Sequence, residues 1–168
     1  RLRRDWRRQG MAANCVRFVE ALGVPPGSAA ESFSLLREVL GLLENEASPP
    51  EPAPLFFRFR LAAEQGYAPD LRSCFRCGAS LDSQDKAYFL VGEGVACCPS
   101  CRPHGGMSLA LGQESLDVLR KVQEYSPQRW AELDPSPDSR REAGRLIDAF
   151  VRYHLGLEWA NGRFRRNS

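Results

Sequence analysis

The stretch Cys74-Phe75-Arg76-Cys77 is followed, 20 residues later, by Cys98-Pro99-Ser100-Cys101. Two Cys-x2-Cys pairs at this separation are typical of a four-cysteine zinc ribbon, in which each pair forms a tight turn with two thiolates on one side of a tetrahedral site. Gly78, directly after the first pair, allows the backbone reversal that such a turn needs. The spacing therefore predicts a structural Zn²⁺ ion bound by Cys74, Cys77, Cys98 and Cys101.

Between the two pairs the sequence predicts a β-hairpin. Residues 87–91 and 95–97 are short apolar runs on either side of Gly92-Glu93-Gly94, which suits a turn. The hairpin would bring the two cysteine pairs together, so we interpret residues 72–105 as an inserted zinc-binding module. A module of roughly 30 residues cannot bury a sufficient core of its own, and a bound zinc ion would replace that core.

The other cysteines leave alternatives open. Cys97 adjoins Cys98, and adjacent strand residues point to opposite faces, so the two-residue gap to Cys101 favours Cys98 as the ligand. We interpret Cys97 and Cys15 as small buried hydrophobic residues. Disulfides, a degenerate site without metal and His104 in place of one cysteine are the less favoured alternatives. Four thiolates would leave no open position on the ion, which argues against a catalytic zinc.

Residues 1–71 and 106–168 carry helical patterns, so the predicted fold class is mainly α, a helical bundle with an inserted zinc-ribbon-like β-hairpin module. The first helix would cover residues 1–22, where apolar residues recur at steps of three and four. A second would begin at a capping box of Ser28 and Glu31, and its broad apolar stripe predicts a central place in the bundle. A short apolar third helix follows the Pro-rich residues 47–54.

Helical pattern resumes near Gln113, and residues 127–133 suit one further helical turn. Ser136 as N-cap and Pro137 in the first turn predict the start of the last helix, which Gly156 would end. We expect a basic tail after it.

The charge is nearly balanced, with 23 basic and 21 acidic residues, but its distribution is uneven. Both ends are basic, and phosphate contacts by such clusters supply most non-specific affinity for DNA. We therefore predict DNA contacts in the two terminal clusters. Their members are Arg1, Arg3, Arg4, Arg7, Arg8, Arg163, Arg165 and Arg166. The alternative is a solvated basic face or a flexible end, and Trp6 among the arginines suits either core packing or stacking on a base.

Further arginines lie near apolar residues. Arg72, Arg76 and Arg102 flank the cysteine pairs and would suit contact with phosphate or protein, with Phe75 packed on the ribbon. In the segment 56–60, Phe56 and Phe59 stand beside Arg58 and Arg60, which suits a groove for an acidic peptide. The alternative is that these phenylalanines belong to the core.

Nothing in the sequence indicates catalysis. The histidines are His104 and His154, and the latter suits a hydrogen-bonded structural role on the last helix. Gly-rich phosphate loops and nucleophile elbows are absent from the sequence. Uninterrupted apolar runs of about 18 residues are absent as well, and the first residues lack a signal-peptide pattern. We expect a binding protein of the cytoplasm, not an enzyme, with no membrane contact.

Several motifs in order resemble one family. They are the Arg-rich first helix, the Pro-rich connector, Gly66-Tyr67-Ala68-Pro69-Asp70-Leu71 leading to the first cysteine pair, Gly94-Val95-Ala96-Cys97-Cys98 leading to the second, and Tyr153-His154-Leu155-Gly156 at the close. Over nearly the whole chain this resembles the C-terminal part of the bacterial recombination mediator RecO. The resemblance implies a helical bundle with an inserted zinc module, preceded by an N-terminal OB-fold that this sequence lacks, so we expect a piece of a longer protein.

The resemblance also implies a function and partners. RecO proteins bind single- and double-stranded DNA and anneal complementary strands. With RecR they help to load RecA onto DNA coated by single-strand-binding protein, whose acidic tail they also bind. This implies a nucleoid-associated mediator of DNA repair. The alternative is a zinc-stabilised helical scaffold for protein–protein contact that makes no DNA contact of its own.

Overall fold

The computed structural model describes residues 5–166 and has the predicted fold class, a mainly α bundle with an inserted zinc-ribbon-like hairpin. The helices are α1 (Trp6–Leu22), α2 (Ala29–Asn45), α3 (Ala53–Ala62), α4 (Gln113–Glu124) and α5 (Pro137–Phe150). Single turns of π-helix extend α3 over Ala63–Tyr67 and α5 over Val151–Leu155. The further turn expected near residue 127 is a 3-10 helix, Pro127–Glu132.

The first helix begins later than predicted. Asp5 is its N-cap and accepts hydrogen bonds from the backbone N–H groups of Arg7 and Arg8, which fixes the first turn at Trp6. Gly23, with φ of 65°, ends it by donating its N–H to the carbonyl of Val19. Residues 1–4, which the sequence placed in this helix, lie outside the described residues.

The centre of the bundle is α3, not α2 as the sequence predicted. This short helix contacts α1, α2, α4 and α5, and six of its ten residues are buried. Phe33, in the apolar stripe of α2, is instead exposed. The predicted capping box is also wrong, because the Ser28 hydroxyl makes no cap bond and donates to Gln65 Oε1 at 3.0 Å.

The inserted region forms a three-stranded antiparallel sheet. Its strands are β1 (Lys86–Leu90), β2 (Val95–Cys97) and β3 (Ser108–Gly112), in the order β2-β1-β3. The predicted hairpin is confirmed, with Leu90 opposite Val95 and Gly94 at φ of 67° in the turn. The third strand was not predicted. It continues the sheet beyond residue 105, the predicted end of the module.

The C-terminal residues form a second hairpin where a basic tail was expected. Strand β4 (Leu157–Ala160) pairs with β5 (Arg163–Arg166), and Trp159 lies opposite Phe164. The connection is Asn161-Gly162, both with positive φ, which is the two-residue turn that suits the twist of a hairpin. Phe164 packs on Phe18 of α1, so the hairpin is anchored to the bundle.

One continuous core joins the bundle to the sheet. Phe150 of α5 lies between Phe59 of α3 and Phe89 of β1, with ring centroids 5.9 Å and 6.0 Å away, and all three side chains are almost completely buried. The sheet therefore packs its apolar face on α5. Among residues 5–166, none of the helices combines the length and the apolar character that crossing a bilayer requires.

Candidate metal centre

The first cysteine pair lies in a tight turn held by backbone hydrogen bonds. Gly78 donates its N–H to the carbonyl of Cys74 at 2.8 Å, and its φ of 72° is the left-handed conformation that glycine adopts without strain. Cys74 in turn donates to the carbonyl of Ala79 at 2.8 Å. Phe75 donates to the carbonyl of Ala96 at 3.0 Å, which attaches this turn to β2 and thereby to the second pair.

The second pair follows β2 directly. Pro99–Cys101 is a single turn of 3-10 helix, in which Cys101 donates its N–H to the carbonyl of Cys98 at 3.1 Å. Cys97, the last residue of β2, is completely buried in the core. The alternation of a strand thus separates the two neighbours as predicted, with Cys98 at the metal site and Cys97 in the core. The prediction of a buried Cys15 is confirmed as well.

The four predicted sulfur atoms come together. The Sγ atoms of Cys74, Cys77, Cys98 and Cys101 all lie within 4.8 Å of one another, and those of Cys77 and Cys98 are 3.9 Å apart. Four sulfurs at about 2.3 Å from a tetrahedral Zn²⁺ are about 3.8 Å from each other, so the arrangement fits the ion. All six cysteines are free thiols, and His104 lies outside this group, so the disulfide and the His104 alternatives are not supported.

The protonation of the cluster also suits a cation. Burial raises the pKa of the Cys74 thiol, but hydrogen bonds from the backbone N–H groups of Cys98, Cys77 and Arg76 outweigh it and lower that pKa to about 6. Hydrogen bonds with the thiols of Cys77 and Cys98 raise the pKa of Cys101 to about 12. Cys74 is therefore a thiolate at neutral pH, and a bound dication would require Cys101 to give up its proton.

A buried arginine of the bundle holds the base of the module. Arg120 on α4 donates through Nε and Nη2 to the carbonyl of Leu71, at 3.0 Å and 2.7 Å, and through Nη1 to the carboxylate of Asp82. Leu71 directly precedes the module and Asp82 lies inside it. The guanidinium therefore attaches two points to α4: the backbone just before the module and a side chain inside it.

Replacing Arg120 with methionine is expected to lower the free energy of unfolding by about 2–3 kcal/mol, because the buried carbonyl of Leu71 loses a charged donor. Denaturant unfolding monitored by circular dichroism measures the change. Arg141→Met is the matched control, since Arg141 makes only an exposed ion pair with Asp138 and should cost under about 0.5 kcal/mol. Equal losses in the two variants would contradict a role for Arg120 in holding the module.

The arginines that flank the cysteine pairs differ in their surroundings. Arg72 is paired with Glu124 of α4, whereas Arg102 lies over the ring of Tyr88 at 4.3 Å. Arg76 lies over Phe75 at 5.4 Å, and that ring is 46% exposed. The prediction that Phe75 packs on the ribbon is therefore wrong, and Phe75 with Arg76 forms an exposed tip.

Only part of the N-terminal basic cluster is available to a ligand. Arg8 is buried and donates to the carbonyls of Leu43, Glu46 and Ala47, which caps the C-terminal end of α2. We therefore withdraw Arg8 from the DNA-binding set. Arg7 is exposed, lies 5.4 Å from the centre of the Trp6 ring, and Trp6 is itself 76% exposed rather than in the core. Arg1, Arg3 and Arg4 lie outside the described residues.

The C-terminal arginines lie on β5. Arg163 and Arg165 are exposed and alternate with the buried Phe164, so both point to the outer face of the hairpin. Arg166 points to the other face, where its Nη2 donates to the carbonyl of Leu22 at 3.3 Å and caps the end of α1. Arg163 and Arg165 are thus the pair on this strand that remains turned to solvent.

The groove expected for an acidic peptide at residues 56–60 does not form. Phe56 and Phe59 are core residues. Arg58 is paired with Asp148 at 2.9 Å, and Arg60 is paired with Glu64 and also donates to backbone carbonyls at the end of α4. Arg58 and Arg60 can lie beside buried phenylalanines because an arginine packs its apolar stem against the rings and only its guanidinium has to reach polar partners.

His154 has the structural role that the sequence suggested. Its Nε2 lies 2.8 Å from the carbonyl oxygen of Val91, at the start of the β1–β2 turn. Gly94 of the same turn passes so close that a Cβ there would lie 3.2 Å from that nitrogen. The imidazole therefore fastens the tip of the hairpin to the end of α5.

The fold and the site define a class: a helical protein with an inserted module whose four clustered cysteine sulfurs could hold one metal ion. Residues 3–163 match the sequence profile of the family described as "Recombination protein O C terminal". The chain belongs to the RecO family of DNA repair proteins, and the resemblance noted in the sequence is confirmed.

Known proteins support the same assignment. "DNA repair protein RecO" of Nitratidesulfovibrio vulgaris (strain DP4) is 51% identical over 99% of this chain and 67% of its own length. The protein of that name in Oleidesulfovibrio alaskensis is 46% identical with the same coverage. That of Anaeromyxobacter dehalogenans is 36% identical over 80% of this chain. The chain spans about two thirds of the length of the first two relatives.

Proposed function

We propose that this chain is the helical and zinc-binding part of a recombination mediator. It would bind single- and double-stranded DNA, anneal complementary strands and, with RecR, help to load RecA onto DNA coated by single-strand-binding protein, whose tail it would also contact. The observation that carries the proposal is the family match over residues 3–163. A place in the bacterial cytoplasm, at the nucleoid, follows from this role.

The metal of this proposal is a structural Zn²⁺. The donor set of four thiolates suits zinc, and the sulfur separations fit its tetrahedral geometry. The ion would hold the two cysteine turns together. We propose no catalytic role for it. Both histidines fit this reading, because His154 is engaged by the backbone of Val91 and His104 is exposed.

DNA contact would come from the arginines that remain free of internal roles. Among the predicted DNA-binding arginines that the structure describes, these are Arg7 beside Trp6 and the outward pair Arg163 and Arg165. Contacts of this kind bind the phosphate backbone and carry little sequence information. They suit a protein that has to act on any damaged or complementary strand.

We expect the chain to bind single-stranded DNA with an affinity that falls steeply with salt, since bound arginines release counterions. Changing Arg163 and Arg165 together to glutamate should weaken binding by about tenfold or more and flatten the salt slope. The control changes Arg37 and Arg141, two exposed helix positions, to glutamate and so alters the net charge equally. Fluorescence anisotropy of a labelled oligonucleotide over a salt series measures both.

The alternative is a scaffold that contacts only proteins. The commitment of Arg8 and Arg166 to helix ends favours it, because two members of the predicted DNA-binding set serve the fold. Failure of the wild-type chain to bind DNA at low salt would contradict the DNA-binding proposal for this part of the protein and support the scaffold.

A further inference from the structure

The described part of the structure contains an open groove that none of the roles above uses. Its volume is about 950 Å³, and it lies between α5, the start of β3 and the C-terminal hairpin. Residues of both hairpins and of the bundle line it, so the groove is a feature of the assembled fold. One wall is a face of α5 on which Arg145, Asp148, Ala149 and Arg152 follow one another at helical spacing.

Exposed aromatic and apolar side chains lie around this groove. Tyr153 is 63% exposed and Met107 also 63%, unusually high values for residues of their size. Trp159 is 43% exposed on β4, and its ring packs at 4.7 Å against Phe164. The indole is thus fixed from below by Phe164 while part of its surface remains open to a ligand.

The charges of the groove favour an anion. Arg58 and Arg152 line it together with their carboxylate partners, Asp148 at 2.9 Å and Glu158 at 3.8 Å. Arg145 is exposed and makes neither a hydrogen bond nor an ion pair with any described residue, which leaves the lining with one uncompensated positive charge. Across the hairpin, Glu158 lies opposite Arg165, so this edge of the groove adjoins the strand that carries Arg163 and Arg165.

We propose that this groove is a binding site for single-stranded DNA. This site rests on the proposed function. It adds a place for the bases of the strand, whereas the arginines named above contact only its phosphates. Proteins that bind single strands combine a positively charged groove along the backbone with aromatic rings on which bases stack. Here Tyr153 and Trp159 supply the rings, and Arg145 supplies a phosphate contact.

The test uses the whole chain and a labelled oligomer of thymidylate. Arg145→Glu is expected to weaken binding by about tenfold, because it places a negative charge beside the phosphates. Arg37→Glu is the matched control. Arg37 is likewise an exposed helix arginine that makes no hydrogen bond or ion pair with a described residue, but it lies on α2, outside the groove, so its change should alter the affinity by under about twofold.

A second pair of variants tests stacking separately from charge. Tyr153→Ala should weaken binding by about tenfold, whereas Tyr153→Phe keeps the ring and should retain the affinity. In a Trp6→Phe background, Trp159 is the exposed tryptophan, because Trp130 is completely buried. Saturating oligomer should then quench the remaining exposed tryptophan fluorescence.

The outcomes separate this site from the function on which it rests. If the wild type binds DNA but Arg145→Glu behaves like Arg37→Glu, or Trp159 is not quenched, the groove serves another occupant such as a peptide, and the proposal is overturned while DNA binding stands. If the wild type does not bind the oligomer at low salt, the groove site and the DNA-binding function are both overturned.

Discussion

Cys101→Ser is expected to abolish zinc binding and to unfold the hairpin between the two cysteine pairs. The four sulfurs lie within 4.8 Å of one another, and a serine hydroxyl does not replace a thiolate at a closed zinc site. Binding of structural zinc to small modules supplies about 10–16 kcal/mol, and its loss here would fall on the two cysteine turns and the β2 edge that they hold. The helices of the bundle should persist, because none of them contributes a ligand to the site.

Metal analysis and amide hydrogen exchange together measure this effect. In Cys101→Ser we expect no bound zinc and fast exchange in β2 and in the two cysteine turns. Cys97→Ala is the control, because Cys97 is buried in the core and points away from the cluster, and it should keep the metal and the exchange protection. Retention of zinc and of slow exchange in Cys101→Ser would contradict the assignment of this ligand.

Phe150→Ala should lower the free energy of unfolding by about 3–5 kcal/mol, since it removes a fully buried aromatic ring and leaves a cavity. Phe150 is also the ring that joins Phe59 of the bundle to Phe89 of the sheet, so the module should lose its attachment as well as its packing. Phe33→Ala provides the control, because that ring is 60% exposed and should cost under about 0.5 kcal/mol.

Denaturant unfolding, followed separately for the helical bundle and for the sheet, checks this prediction. Circular dichroism follows the helices, and exchange of the β1 amides follows the sheet. We expect Phe150→Ala to lower both transitions and to open the sheet first. A loss similar to that of Phe33→Ala would show that the two parts do not share one core.

The metal site could be predicted from sequence because its geometry is local. A Cys-x2-Cys pair fixes two ligands within one turn, and the Gly92–Gly94 segment indicates the hairpin that brings the pairs together. Strand β3 was missed because its pairing with β1 joins residues about 20 positions apart and its five residues carry a weak pattern. The C-terminal hairpin did have a signal, the dipeptide Asn161-Gly162, which the basic composition around it obscured.

The roles of the arginines were the hardest to predict. Arg8, Arg60 and Arg120 all donate to backbone carbonyls that lie 35 or more residues away in sequence, and no pattern of residue types marks the distant carbonyl that an arginine will bind. Sequence reasoning therefore counted Arg8 as a phosphate ligand. The packing predicted for Phe75 was wrong, and the place of Trp6 stayed open, for a related reason: a large aromatic residue is usually buried, and only the tertiary packing shows the exception.

X-ray absorption at the zinc edge of freshly purified chain, with the metal content measured on the same sample, tests the four-thiolate centre most directly. We expect one zinc ion per chain, with four sulfur neighbours at about 2.3 Å and no nitrogen or oxygen neighbour. A chain that folds with well under one equivalent of metal, or a spectrum with mixed sulfur and nitrogen ligands, would contradict it.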